Sequence, residues 1–273
     1  MTKRTLSVAL VALVAAAPAT AFDAADLEQL LSTGLCEGCD LGEVDLSGET
    51  LPDGIDLRGA NLVGADFSGA TMIEAQLPAA RATDATFAGA DMFDAYMTYV
   101  DLSRSDLSGV NLEMAYIRFS TTVETNFTGA NLNGAAFWDS NLTGIVLVDV
   151  TAREAAFRGA TMRDADLTNG DFTGAFFTNA NLRFAAASGA TMAGADLTGA
   201  TLVEADLTGA DLTGAVLDHA NLSDATLVGA SLAEADLTAA DLEGADLTDA
   251  DLAGAIFCDT VMPDGEVNDE GCP

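Results

Sequence analysis

The chain has 273 residues, with 43 Asp and Glu against 10 Lys and Arg, a formal charge of −33. Its only lysine is Lys3, and after Arg4 every basic group except His219 is one of eight arginines between Arg58 and Arg183. That balance excludes an ordinary nucleic-acid binder, which needs cationic groups to displace counterions from phosphate. It suits a chain kept soluble and separate by self-repulsion.

Residues 1–21 read as a processing signal. Lys3 and Arg4 form a basic start, Leu6 to Ala17 an apolar stretch, and Ala19-Thr20-Ala21 a small-residue cleavage site. The apolar stretch falls short of the roughly 20 residues that span a bilayer. The expectation is a mature protein that starts at Phe22, lies in the periplasm or is secreted, and has no membrane contact after cleavage. Its formal charge is −35, since two basic groups and no acids leave.

Asp23 to Leu31 predicts a short helix, with Asp23 as N-cap and Leu27, Leu30 and Leu31 on one side. Leu41, Leu46 and Leu51 follow at steps of five. The next apolar centre, Leu57, comes six later, and Leu51-Pro52-Asp53-Gly54-Ile55 predicts a bulged turn that absorbs the extra residue.

From Leu57 to Phe257 every fifth residue is a centre: 41 positions, of which 37 are Leu, Phe, Met or Ile. Two residues before each centre the chain places something small, and 31 of those 41 positions are Ala. Asp, Asn or Thr usually lies between them; a polar residue and then Gly usually follow. Ala195-Asp196-Leu197-Thr198-Gly199 is an undisturbed unit. A period of five fits neither a helix nor a plain strand. Within a unit Ala and Leu stand two apart, so an extended backbone turns both to one side. Gly then lets the chain bend into the next unit. One unit buries almost nothing, and stability must come from stacking coil on coil.

The tract resembles the A(D/N)LXX motif of the pentapeptide-repeat family, in one register over about 200 residues. The resemblance implies an all-β fold, a right-handed quadrilateral β-helix with four units per coil. Forty-one units then make about ten coils and a rod about 50 Å long, at ~4.8 Å per coil. The domain organisation this predicts is a signal peptide at 1–21, an N-terminal helical cap with CxxC at 22–40, the solenoid at 41–257 and a C-terminal disulfide cap at 258–273. Met262-Pro263-Asp264-Gly265 supplies the turn that folds the last segment back. All four cysteines fall in the two ends. On a rod of that length the ends are too far apart for a bridge, so the expected pairs are Cys36–Cys39 and Cys258–Cys272, favoured by an oxidising compartment.

No catalytic constellation stands out, and neither an enzyme activity nor a cofactor is expected. His219 replaces a Gly at an exposed corner. The column Asp166, Ala186, Asp206, Thr226, Asp246 alternates acids with uncharged residues, which reads as avoided repulsion rather than a calcium site. Written at steps of 20, however, one face is anomalous. It gathers the three tyrosines Tyr96, Tyr99 and Tyr116 and the single tryptophan, Trp138, with Arg118, Phe119, Arg158 and Phe176. On this reading Met97, Ile117, Phe137, Phe157 and Phe177 point inward and the others outward. Arg118, Trp138 and Arg158 share a column at a spacing that suits cation–π stacking. Aromatic and Arg clusters are the composition of binding hot spots, which predicts a protein partner or a homodimer on this face. Two further functions compete with that scaffold. Some proteins of the family it resembles protect DNA gyrase, so a DNA-mimicking protector of a type II topoisomerase is one, disfavoured by the export signal. A passive structural protein of the envelope is the other.

Overall fold

The computed structural model describes residues 22–272; the expected signal segment lies outside them. Helix α1 (Ala24–Thr33) starts where Asp23, with extended backbone, accepts a hydrogen bond from the Ala25 N–H at 2.8 Å. It stops at Gly34, whose left-handed φ of 73° directs its N–H back to the Leu30 carbonyl. The helix therefore runs two residues beyond the span predicted from the leucines. Leu27 and Leu30 are fully buried in the core, and Leu31 packs against it in part. The Asp40 N–H donates to Asp26 Oδ2 and the Asp40 carbonyl accepts from the Asp23 N–H, which tie the helix to the coil beneath.

From Leu35 onward the chain is a β-helix built of parallel single-residue bridges. In the first coil each bridge joins residues 21 apart, Leu35 to Asp56 through Thr50 to Thr71; from Asp56 onward the step is 20. The change comes from the Pro52-Asp53-Gly54 corner, which has three residues where later corners have two and closes with Ile55 N–H on the Pro52 carbonyl. The bulge expected from sequence lies there. Because bridging starts at Leu35, Cys36 and Cys39 already form part of a coil rather than of the helix, and they are disulfide-bonded.

The unit repeats one geometry. In Ala195–Gly199 the Leu197 N–H donates to the Val216 carbonyl of the next coil at 2.7 Å. Ala200 N–H returns to the Leu197 carbonyl at 2.9 Å across a turn whose third residue, Gly199, has φ 65°. Ala195, Leu197 and Ala200 are fully buried. The left-handed position recurs at every corner, and where Gly is missing the same φ is imposed on other residues, most often Asp, Asn or Glu but also bulky ones such as Tyr99, Met114, Phe119 and Phe184. The core is a stack of centres; Phe137, Phe157 and Phe177 lie ring on ring at 5.2 and 5.0 Å.

Asp and Asn before the centre have a task that their alternation did not disclose. Asp166, Asp206 and Asp246 each accept the N–H of the threonine two residues on, at 2.9 to 3.0 Å. The carboxylate thus satisfies a turn amide.

At the far end β1 (Thr260–Val261) pairs antiparallel with β2 (Val267–Asn268) after a turn at Gly265, and Phe257 N–H donates to the Glu270 carbonyl. Cys258–Cys272 closes this hairpin. It covers one side of the last coil and leaves Leu247 and Leu252 half-buried.

Candidate functional site

The bridge ladder brings Gln76, Tyr96, Tyr116, Ala136, Ala156 and Phe176 into one column. Beside it run Thr98, Arg118, Trp138 and Arg158, and at the corner Tyr99, Phe119, Asp139 and Gly159. The backbone holds these columns tightly. Met97, Ile117, Phe137 and Phe157 N–H groups each donate to the carbonyl of the bridging residue one coil on, all at 2.7 Å. Those four residues and Phe177 are fully buried, so the inward and outward division predicted from the five-residue period is the one observed. Ser120 and Ser140 secure the corners after Phe119 and Asp139, donating to the Met97 and Ile117 carbonyls at 2.9 and 2.8 Å.

Three groupings result. Arg118 lies between two rings, 5.6 Å from the centroid of Tyr116 and 5.5 Å from that of Trp138, and Tyr116 leans on Tyr96 at 6.2 Å. Tyr99 and Phe119 stack at 5.4 Å along the corner. Both adopt φ near 60° there, a conformation that bulky residues rarely hold. Arg158 stands over Phe176 at 4.5 Å. The spacing had placed it on Trp138; its long side chain instead follows the chain one coil upward, toward Phe176 and Asp196. Burial opposes ionisation of Asp196, yet hydrogen bonds from Thr198 and Thr178 and the field of Arg158 hold its carboxyl below the usual range.

Tyr99, Phe119, Tyr116 and Trp138 are exposed, Tyr99 by 64%, whereas Tyr96 and Phe176 are half-buried by their neighbours. Arg118 has no carboxylate partner among the described residues, and its Nε is shut off from solvent without an acceptor. Between Gln76 and Asn179 the outward positions of this face carry two arginines and one acid, Asp139, in a chain of charge −33.

A smaller cluster on the neighbouring face was missed. Phe184 receives Arg163 at 5.1 Å and Arg183 at 4.7 Å, and Arg183 also meets Glu204 at 3.1 Å. The signal was present at the 20-residue step between Arg163 and Arg183. His219 sits at its corner with Nδ1 2.7 Å from Asp218 Oδ1.

Eight copies of the family described as pentapeptide repeats match the chain, over residues 53–87, 75–113, 111–147, 145–183, 162–202, 175–214, 215–254 and 225–262. The chain belongs to the pentapeptide-repeat family. Among solved structures it is similar to HetL, a pentapeptide repeat protein involved in heterocyst differentiation regulation in the cyanobacterium Nostoc. Identity is 27% over 89% of this chain and 97% of that one, with a TM-score of 0.30. A trypsin-treated form of QnrB1, a plasmid-mediated fluoroquinolone resistance protein, is 20% identical over 84% of this chain and 89% of its own, with a TM-score of 0.38. A pentapeptide repeat protein of the Arabidopsis thaliana thylakoid lumen shares 29% identity over 41% of this chain and 68% of its own, with a TM-score of 0.19. No curated protein matches the chain.

Proposed function

We propose that this pentapeptide-repeat protein is an exported, non-catalytic scaffold that binds a protein partner through its aromatic and arginine face. In this reading residues 1–21 direct export to the periplasm or the medium. The helical segment before Leu35 and residues 258–273 cap a right-handed solenoid of about ten coils. The observation that carries the reading is Arg118: a guanidinium held between Tyr116 and Trp138, with no carboxylate partner among the described residues, on an exposed stretch nearly free of acid. Elsewhere the arginines Arg58, Arg104 and Arg153 close ion pairs with aspartates at 2.6 to 2.7 Å. Aromatic and Arg side chains at the centre of a face carry most of an interface's energy.

The test is the double substitution Tyr116→Thr with Trp138→Thr. Thr is common at outward positions, so thermal unfolding should shift by no more than about 0.5 kcal/mol in stability. Association with the partner, read by pull-down from an envelope fraction and by sedimentation, should be lost, while Thr198→Ala with Thr208→Ala changes neither. Unfolding of the rod by the aromatic substitutions, with no association to lose, would assign the cluster a purely structural role. The net charge of −33 favours DNA mimicry as a second reading. Cell fractionation separates the two, since mimicry requires the protein in the cytoplasm.

A further inference from the structure

We infer that the partner on this face is a second copy of the same chain, docked antiparallel about a two-fold axis that passes between the coils of Tyr116 and Ala136. The inference rests on the binding role proposed above and identifies the occupant.

Charge comes first. Two rods of charge −33 repel each other along most of their length. They can approach closely only where acids are missing, and the face from Gln76 to Asn179 is such a stretch, with Asp139 its single acid.

The shape of the face is the second observation. The bridge column runs Tyr96, Tyr116, Ala136, Ala156, Phe176: two large side chains, two small, one large. Ala136 and Ala156 point outward and are only 8% and 9% exposed. Their methyl groups leave this column low for two coils beside the two coils that Tyr96 and Tyr116 raise. A two-fold axis lying across the rods in the plane of contact sets each column against itself in reverse order. With that axis between the coils of Tyr116 and Ala136, Tyr116 faces Ala136 of the second copy and Tyr96 faces its Ala156. At the corner Tyr99 faces Gly159, over which the Asp139 carboxylate leans. Ridge enters hollow on both sides, as an isologous contact requires.

The third observation is the unpaired charge. In the same register Arg118 faces the coil of the second copy that holds Trp138 and Asp139. Among the described residues of one chain neither Asp139 nor Arg118 forms an ion pair. The dimer gives each one its counter-charge, in two symmetric pairs, together with a third ring for the guanidinium.

Sedimentation velocity of the purified chain over a concentration series is expected to show a monomer–dimer equilibrium. Added salt should strengthen it, because screening weakens the repulsion between the rods. Ala136→Tyr fills the hollow and leaves every aromatic of the face in place; it should weaken dimerisation by at least about tenfold. Tyr116→Ala combined with Ala136→Tyr exchanges ridge and hollow on both copies and should restore it. A chain that stays monomeric at every concentration and salt level overturns the second copy as occupant. The binding face is then judged separately, by whether Tyr116→Thr with Trp138→Thr releases a partner taken from the envelope fraction. A dimer indifferent to Ala136→Tyr, or one that survives Tyr116→Thr with Trp138→Thr, lies on another surface and also overturns the inference. Should Ala136→Tyr fail to fold, spin labels on cysteines placed singly at Thr198 and Asp218 decide the orientation in an unaltered face. Antiparallel rods make the distance between like labels grow by two coil spacings, about 10 Å, from the first position to the second; equal distances contradict it.

Discussion

Gly170 shows how far a single residue can depart from its own pattern. It occupies an inward position where 31 of 41 units have Ala, so the repeat alone recommends Gly170→Ala as a stabilising change. In the folded coil an added Cβ would strike the ring of Phe172 and come within 3.2 Å of the Leu147 carbonyl. Phe172 is fully buried and packs edge-on against Phe157 and Phe177 at 6.1 and 5.7 Å, so it has nowhere to move. Gly170→Ala is therefore expected to destabilise the protein by about 1–3 kcal/mol, the usual cost of overpacking. Urea unfolding of the two proteins measures it, and a gain in stability would show that the phenylalanine stack yields.

At the scale of elements, the two ends differ from the coils in what holds them. Helix α1 depends on the Asp23 cap, on Leu27 and Leu30, and on the Asp26 carboxylate that accepts from Asp40. The terminal hairpin has two short strands and the Cys258–Cys272 bridge, which encloses 14 residues of sequence separation. A bridge over a loop of that size restricts the unfolded chain by about 3 kcal/mol, whereas Cys36–Cys39 closes a loop of only three. Reduction of both should therefore loosen residues 258–272 much more than residues 22–39. Amide hydrogen exchange after reduction is expected to rise in the hairpin and stay unchanged between about Asp56 and Asp236, because each coil contacts only its neighbours. Faster exchange throughout the rod would mean that the end bridge stabilises the whole stack.

For the whole molecule the acid response follows from carboxylates that the fold uses. Asp45 and Asp206 are held below the usual aspartate value by hydrogen bonds from Ser47 and Thr208, and Asp56 by its bond with Arg58. At Asp171 burial pushes upward, but bonds from Thr173 and Arg153 outweigh it. A group whose folded pKa is depressed contributes its full stability above the unfolded value of about 3.9 and loses it as pH falls through the folded value. Between neutrality and the isoelectric point near 4.1, by contrast, protonation relieves the repulsion of a chain with charge −33. The melting temperature should stay level or rise from pH 7 to 5 and fall below about pH 4. A steady decline between pH 7 and 5 would mean that the turn carboxylates do not govern acid stability.

The five-residue period by itself determined the core and the inward or outward sense of each residue, because in an extended unit alternate side chains must take opposite sides. It also located the extra residue at Pro52-Asp53-Gly54 and brought the aromatic residues to one face once four units were taken per coil. Contacts of long side chains were beyond its reach. Spacing placed Arg158 in the column of Trp138, and only the torsions of the folded side chain send it to Phe176 at 4.5 Å. Nor could the pattern show that Ala136 and Ala156, on the outward side, would be all but buried. The local period decides which side of the backbone a residue occupies; the stacking of coils decides what it touches there.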